Sequence, residues 1–230
     1  MIKRAVSFVG GSVGAAAVLG LGYLTLNWYR YGRASLDGPS DPLLDRFLPD
    51  FEVIERHEVL VMAPVYQTFA AACAIDFQAS RLVRALVGAR GLALGSARTG
   101  HRTTTTLEDF QAMGWERLAE DPGHEIVLGT VTQPWLANVR FQPVAAADFA
   151  AFAAPGYVKI VFSLAAEPRG VGKSLFRTET RAAATDAAAR RRFRRYWAFV
   201  SPGVRMVRRE LLRLVRHDAE VRHRVAIGRA

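Results

Sequence analysis

The longest apolar run stands first in the chain, where Ala5–Trp28 has no charged residue over 24 positions. As a helix rising about 1.5 Å per residue it reaches about 36 Å, enough for a hydrocarbon core of about 30 Å. Lys3 and Arg4 precede it, and Trp28, Tyr29, Arg30, Tyr31 and Arg33 follow, so cationic and aromatic groups fall at both interfaces. A cleaved secretory signal has an apolar core of only about 7–15 residues, shorter than this run. The pattern predicts a single-pass membrane anchor over residues 1–33. A connector follows over 34–50, then a folded domain over 51–224 and a tail over 225–230. Gly10 and Gly14 form a GxxxG step through which two anchors can pack.

In the connector, Asp41 and Pro42 have the chemistry of a helix N-cap and first helical position, and Leu43, Leu44, Phe47 and Leu48 line one side of a short helix. Packing on the domain is the expected place for that stripe. From Phe51 to Met62 the run is β-favouring, with Val59 and Val61 on one face and Glu58 and Leu60 on the other. Pro64 then opens a helix in which Val65, Phe69 and Cys73 recur at spacing four, which makes Cys73 a core residue. Ser80–Val87 reads as a second short amphipathic helix, and Gly88–Leu107, rich in Gly and Thr, as a loop. Strands are predicted over Trp115–Glu120, Glu125–Thr132 and Ala137–Val144, with one helical turn over Asp148–Phe152. Tyr157–Ala166 alternates throughout and belongs near a sheet centre. Lys173–Ala182 repeats the alternation, with Phe176, Thr178, Thr180 and Ala182 opposed to Leu175, Arg177, Glu179 and Arg181. Finally Phe193, Trp197, Val200, Val204, Val207, Leu211 and Leu214, spaced alternately four and three, mark one stripe of a long helix. Ser201-Pro202-Gly203 predicts a kink there, or two helices in sequence.

Charge changes this picture in one place only. The chain carries 31 Lys and Arg against 21 Asp and Glu, a net +10, but the segment from Asp186 onward holds 13 Arg and four acids and so accounts for +9 of it. The basicity belongs to the last helix. Many of its arginines fit a solvated face; in a tethered chain Arg205, Arg208 and Arg209 are candidates to meet anionic lipid headgroups, at about 1 kcal/mol per basic residue near the surface. No nucleic-acid module is visible, so nucleic acid is not an expected partner. Anchor charges are nearly balanced, and the domain is assigned only by a slight lean to the cytoplasmic face.

Motifs for catalysis are sparse. Gly170-Val171-Gly172-Lys173-Ser174 ends like a phosphate-binding loop, but Glu167 stands where the first glycine belongs and a strand begins where a helix is needed, so a hairpin turn is expected. The five histidines lack metal-ligand spacing, a single cysteine excludes an internal disulfide, and no metal or cofactor is expected. Asp148, Glu167 and Glu179 are the acids available to a cyclase- or hydratase-like pocket, although Glu167 and Glu179 are better placed to pair with neighbouring arginines.

The order of strand, two helices, antiparallel strands and long C-terminal helix predicts an α+β fold in which a curved antiparallel β-sheet grips that helix, preceded by one N-terminal transmembrane helix. Met62-Ala63-Pro64 with Tyr66 and Phe69, and Thr178-Glu179-Thr180-Arg181 followed by Thr185-Asp186, Phe193, Tyr196-Trp197 and Pro202-Gly203, resemble an uncharacterised bacterial branch of the helix-grip superfamily, which includes START lipid-transfer domains, polyketide cyclases and birch-allergen-like proteins. The resemblance covers roughly Phe51 to Arg224. It implies a cavity between sheet and C-terminal helix that holds a lipid or other hydrophobic small molecule; catalysis is not expected, because the motifs for it are sparse. Phe162, Phe176, Phe193 and Trp197 are then the apolar candidates for its lining, and Thr178 and Thr180 the polar groups that orient a ligand. Two other classes stay open: a cyclase- or hydratase-like enzyme, and a structural or partner-binding membrane protein with a solid core.

Overall fold

The computed structural model describes Tyr31 and residues 41–76, 80–95 and 106–228. The segment expected to form an anchor, apart from Tyr31, lies outside them, as does half of the stretch read as a loop. Among the described residues no helix is long and apolar enough to cross a membrane.

Alternation of side chains sets the sheet. Strands β1 (Val53–Val61), β2 (Glu116–Asp121), β3 (Glu125–Thr132), β4 (Phe141–Gln142), β5 (Val158–Pro168) and β6 (Ser174–Ala184) form one antiparallel, curved sheet. Its order is β1-β6-β5-β3-β2, with β4 paired to β3, so the strand with the cleanest alternation is central, as expected. The turn from β5 to β6 uses the GKS segment, where Gly170 and Gly172 have φ of 110° and 66°. Only glycine adopts such values without strain, and the backbone then closes through Lys173 N–H donating to the Gly170 carbonyl at 3.3 Å. The expected strand over Ala137–Val144 shrinks to the two residues of β4, because Pro134 and Pro143 on either side have no N–H to offer a ladder.

Six helices are found among the described residues: α1 (Pro42–Asp45), α2 (Val65–Cys73), α3 (Arg81–Ala93), α4 (Leu107–Ala112), α5 (Ala146–Phe149) and α6 (Ala187–Ile227). Helix α1 forms as its sequence predicts, with the Asp41 carboxylate accepting from the N–H groups of Leu43 and Leu44 at 3.1 Å each. Cys73 is half-buried against the core, and burial pushes its thiol up to about 11. Two expectations are corrected, and a choice left open at Pro202 is narrowed. Helix α3 continues six residues past Val87 through Gly88 and Gly91 despite about 1 kcal/mol of propensity cost per glycine. Its Arg90 donates to the Tyr196 hydroxyl at 3.0 Å and to the Pro134 carbonyl at 2.9 Å, tertiary bonds that hold the extra turns. Helix α4 occupies residues expected in a loop or unassigned; Thr106 caps it, its N–H donating to Asp109 at 2.8 Å. At Ser201-Pro202-Gly203 the alternative of two helices in sequence falls away: α6 is one helix of 41 residues with Pro202 inside it. Pro202 removes one backbone bond, but Phe193 at one end of the stripe and Leu211 at the other are each 2% exposed and hold the helix to the sheet on both sides of the gap.

The two faces of the sheet are covered differently. On one, α2 and α6 close the main core, in which Val61, Leu128, Leu164, Phe176 and Val215 are buried. On the other, Leu44, Phe47 and Leu48 from α1 and the turn after it pack against Val127, Val131, Phe149 and Val161. The connector stripe thus rests on the domain, and residues 41–50 belong to the packed unit. This second face also contains the charged side of β6. Arg181 is fully buried and reaches Glu179 at 2.7 Å and Asp45 at 2.5 Å, Glu179 reaches Arg56 at 2.5 Å, and Arg177 reaches Asp41 and Glu167 at 3.3 Å each. Glu167 and Glu179 therefore do pair with arginines, but for Glu179 the place is interior, because α1 covers it.

Candidate functional site

Between α3, α6 and the sheet lies an open cavity of about 430 Å³. Its position follows from the apolar stripe of α6. Phe193 and Leu211 reach the core, whereas Val200, Val204 and Val207 between them are only half-buried and face empty space. Gly203 widens the same wall: a Cβ placed there meets only Leu86 Cδ2, at 3.7 Å. Leu86, Val87 and Ala89 of α3 form the opposite wall. Val87 and Phe199, 52% and 57% exposed, stand at the mouth.

An aromatic cluster makes the floor. Phe162 of β5 lies 5.1 Å from Trp115 and 5.7 Å from Phe110, edge to face, and Trp115 lies 5.6 Å from Phe141. Such edge-to-face contacts stiffen a surface beyond what its area alone supplies. The Trp115 Nε1–H is buried and has no acceptor among the described residues.

Two guanidinium groups border this apolar space. Arg208 of α6 points inward, donating to the hydroxyls of Thr178, at 3.2 Å, and Thr180, and its carbon centre stands 5.5 Å from the Phe162 ring centroid. Strand geometry builds this seat: Thr178 and Thr180 are two apart on one face of β6, and Phe162 is the cross-strand partner of Thr180. Burial pulls Arg208 down to about 10, only partly opposed by the field of Glu55. That carboxylate is already engaged by Arg205 at 2.9 Å and His57 at 3.3 Å. Arg90 of α3 enters from the other wall, held by Tyr196 and the Pro134 carbonyl, and stacks on the Tyr196 ring at 5.7 Å. Among the described residues neither Arg90 nor Arg208 forms an ion pair.

Of the six side chains expected to bind a ligand, Phe162 lines the cavity. Thr178 and Thr180 stand one layer back and orient Arg208. Phe176 is wholly buried in the main core, and Phe193 packs with Trp197, Tyr196 and Tyr31 beyond the end of the cavity. Of the three surface arginines, Arg209 is exposed, Arg205 is paired with Glu55, and Arg208 faces the cavity. Asp148, Glu167 and Glu179 do not line it; among the described residues its ionisable side chains are Arg90, Tyr196 and Arg208. Sequence reasoning missed the α3 wall, Phe110 and Trp115 altogether. The Thr106-x-x-Asp109 capping pattern was the available signal for α4, which delivers Phe110.

No family model matches this chain, and no curated protein matches it. Among solved structures it is similar to a conserved protein from Geobacillus kaustophilus, at 8% identity over 74% of this chain and 97% of that one, with a TM-score of 0.36. It is also similar to the di-domain ARO/CYC BexL from the BE-7585A biosynthetic pathway, at 14% identity over 73% of this chain and 46% of that one, TM-score 0.29. A third likeness is to Ara h 8.0201, at 11% identity over 73% and 97% of the two chains, TM-score 0.29. At such scores these likenesses say nothing of this chain's ligand or reaction.

Proposed function

We propose that this chain is a membrane-anchored helix-grip domain that binds a lipid or another hydrophobic small molecule between α3, α6 and the sheet. The observation that carries the reading is the cavity itself, whose 430 Å³ falls within the range of about 300–1,000 Å³ typical of small-molecule sites. A stripe of valines left uncovered inside a fold is costly unless something apolar covers it. The charge-free run over Ala5–Trp28 supports attachment to a bilayer, from which such a ligand can be drawn, and the exposed Arg209 is available to anionic headgroups at that surface.

Native mass spectrometry of the full chain, released from detergent, tests this directly. The expected result is a co-purifying apolar adduct. Val204→Trp sets an indole into the cavity and is expected to remove the adduct with little change in melting temperature. Wild-type protein free of any adduct, and unable to take up the neutral probe N-phenyl-1-naphthylamine, overturns the reading.

A further inference from the structure

The cavity is apolar in its walls and cationic at its edge. A guanidinium withdrawn from water is costly unless an anion compensates it, and proteins normally supply that anion themselves. This one does so wherever it buries an arginine on the other face of the sheet: Arg177 and Arg181 each have carboxylate partners. Beside the cavity the pattern stops. Arg208 is set on two neutral hydroxyls and an aromatic face, and Arg90 on a phenol and a carbonyl. Among the described residues each uses two of its five N–H donors, and the Trp115 indole N–H, from a third residue lining the same space, has no acceptor there. Among the described residues, donors and positive charge exceed acceptors and negative charge around this one cavity.

We infer that the ligand is an amphiphile with one anionic head group, a carboxylate in the simplest case, whose head meets Arg208 and Arg90 while its apolar body lies on the Phe110, Trp115 and Phe162 floor. The planar fork of arginine suits a carboxylate, and the threonines aim the Arg208 fork without neutralising it. Pairing is strongest where water is excluded, so the apolar wall and the cations reinforce one another. This inference rests on the ligand-binding reading and adds the chemistry of the head group.

The test compares two probes that differ only in the head: dodecanoic acid and dodecanol, each with a diazirine at the chain terminus. The full chain is held in neutral phosphatidylcholine nanodiscs, photolysed with each probe, and the labelled residues are located by peptide mass spectrometry. On cavity residues the acid is expected to label at least about tenfold more than the alcohol, the ratio that one charge-assisted hydrogen bond supplies. Arg208→Gln and Arg90→Gln are each expected to lower that ratio, Arg208→Lys to retain part of it, and Arg213→Gln, on the solvent face in a pair with Glu210, to leave it unchanged. Equal labelling of the wild-type cavity by both probes overturns the anionic head and leaves the apolar site standing. A preference for the acid confined to residues outside the cavity overturns it as well. If neither probe labels the cavity, the ligand-binding reading falls and this inference with it. Should Arg208→Gln fail to fold, the wild-type ratio still decides the head group, and an acid preference unmoved by Arg90→Gln removes Arg90 from the assignment.

Discussion

On the side of the sheet that α1 covers, Arg177 and Arg181 are buried and matched by Asp41, Asp45, Glu167 and Glu179; on the side that α6 covers, Arg208 and Arg90 border a cavity and, among the described residues, bond only to neutral groups. Both arrangements grow from the alternation of the same strand, β6, whose odd positions supply the first and whose even positions seat the second. The contrast separates two uses of a withdrawn charge. Where every cation has its anion, the network holds the connector helix to the domain in one register. Where the anion is missing, the protein has left an interaction unfilled, and that is the side with room for a guest.

Breaking the matched side is expected to have the largest effect. Arg181→Met leaves Glu179 buried beside a single remaining arginine, Arg56, and removes the hydrogen bonds to Asp45 and the Leu48 carbonyl. Losing one partner from a buried pair costs about 3–5 kcal/mol. Chemical denaturation of the full chain is expected to show that loss, together with early proteolytic cleavage within residues 41–50. A loss under about 1 kcal/mol shows that the ion pairs do not fasten the connector, and the structural half of the contrast fails.

How much of this the sequence discloses depends on whether a feature is local. Strands β3, β5 and β6 and helix α1 were legible because period-two alternation and the Asp41-Pro42 cap are written in adjacent residues. The inward face of β6 was legible too. What could not be read was which inward-facing residues meet space and which meet other atoms: Phe162 and Phe176 have the same character and the same side of the sheet, yet one lines the cavity and the other is packed on all sides. That difference is made by α3, whose two extra turns depend on contacts with Tyr196 and Pro134 that are distant in sequence. Arg208 was read as a surface cation for a related reason, being one of many arginines on a helix, and only the register against Thr178 and Thr180 marks it as facing inward.

A second prediction sharpens the matched side by finding its weak point. Glu125 lies in the α1-covered face with its Oε1 buried and without a donor, and burial, reinforced by the Asp41 carboxylate, pushes it up to about 8. An acid raised in the folded state stabilises fully below its unfolded value of about 4.3 and loses that contribution as pH rises through the folded one. Wild-type melting temperature is therefore expected to fall between about pH 5 and pH 9. Glu125→Gln, which keeps the shape and cannot ionise, is expected to flatten the fall and to melt higher than wild type at pH 9. Parallel curves for the two proteins show that Asp41 and Glu125 do not share this strain.

The smallest effect is expected where the contrast is most exposed to refutation. If Arg208 is held ready for an anion, it is not a structural fastening, and removing it exchanges two hydrogen bonds to hydroxyls for relief from a half-buried charge that the field of Glu55 only partly offsets. These terms oppose each other: bonds to a charged donor are worth about 1.5–3 kcal/mol each, and withdrawing the charge from water costs several kcal/mol. In Arg208→Gln the amide can still donate to one of the threonines, so the net change in unfolding free energy without ligand is expected to stay within about 1 kcal/mol. The same substitution is expected to abolish the rise in melting temperature that dodecanoate gives the wild type, since stabilisation by a ligand follows its affinity for the folded state. A loss near that of Arg181→Met, with the dodecanoate response intact, makes the two faces of the sheet alike and Arg208 one more structural cation.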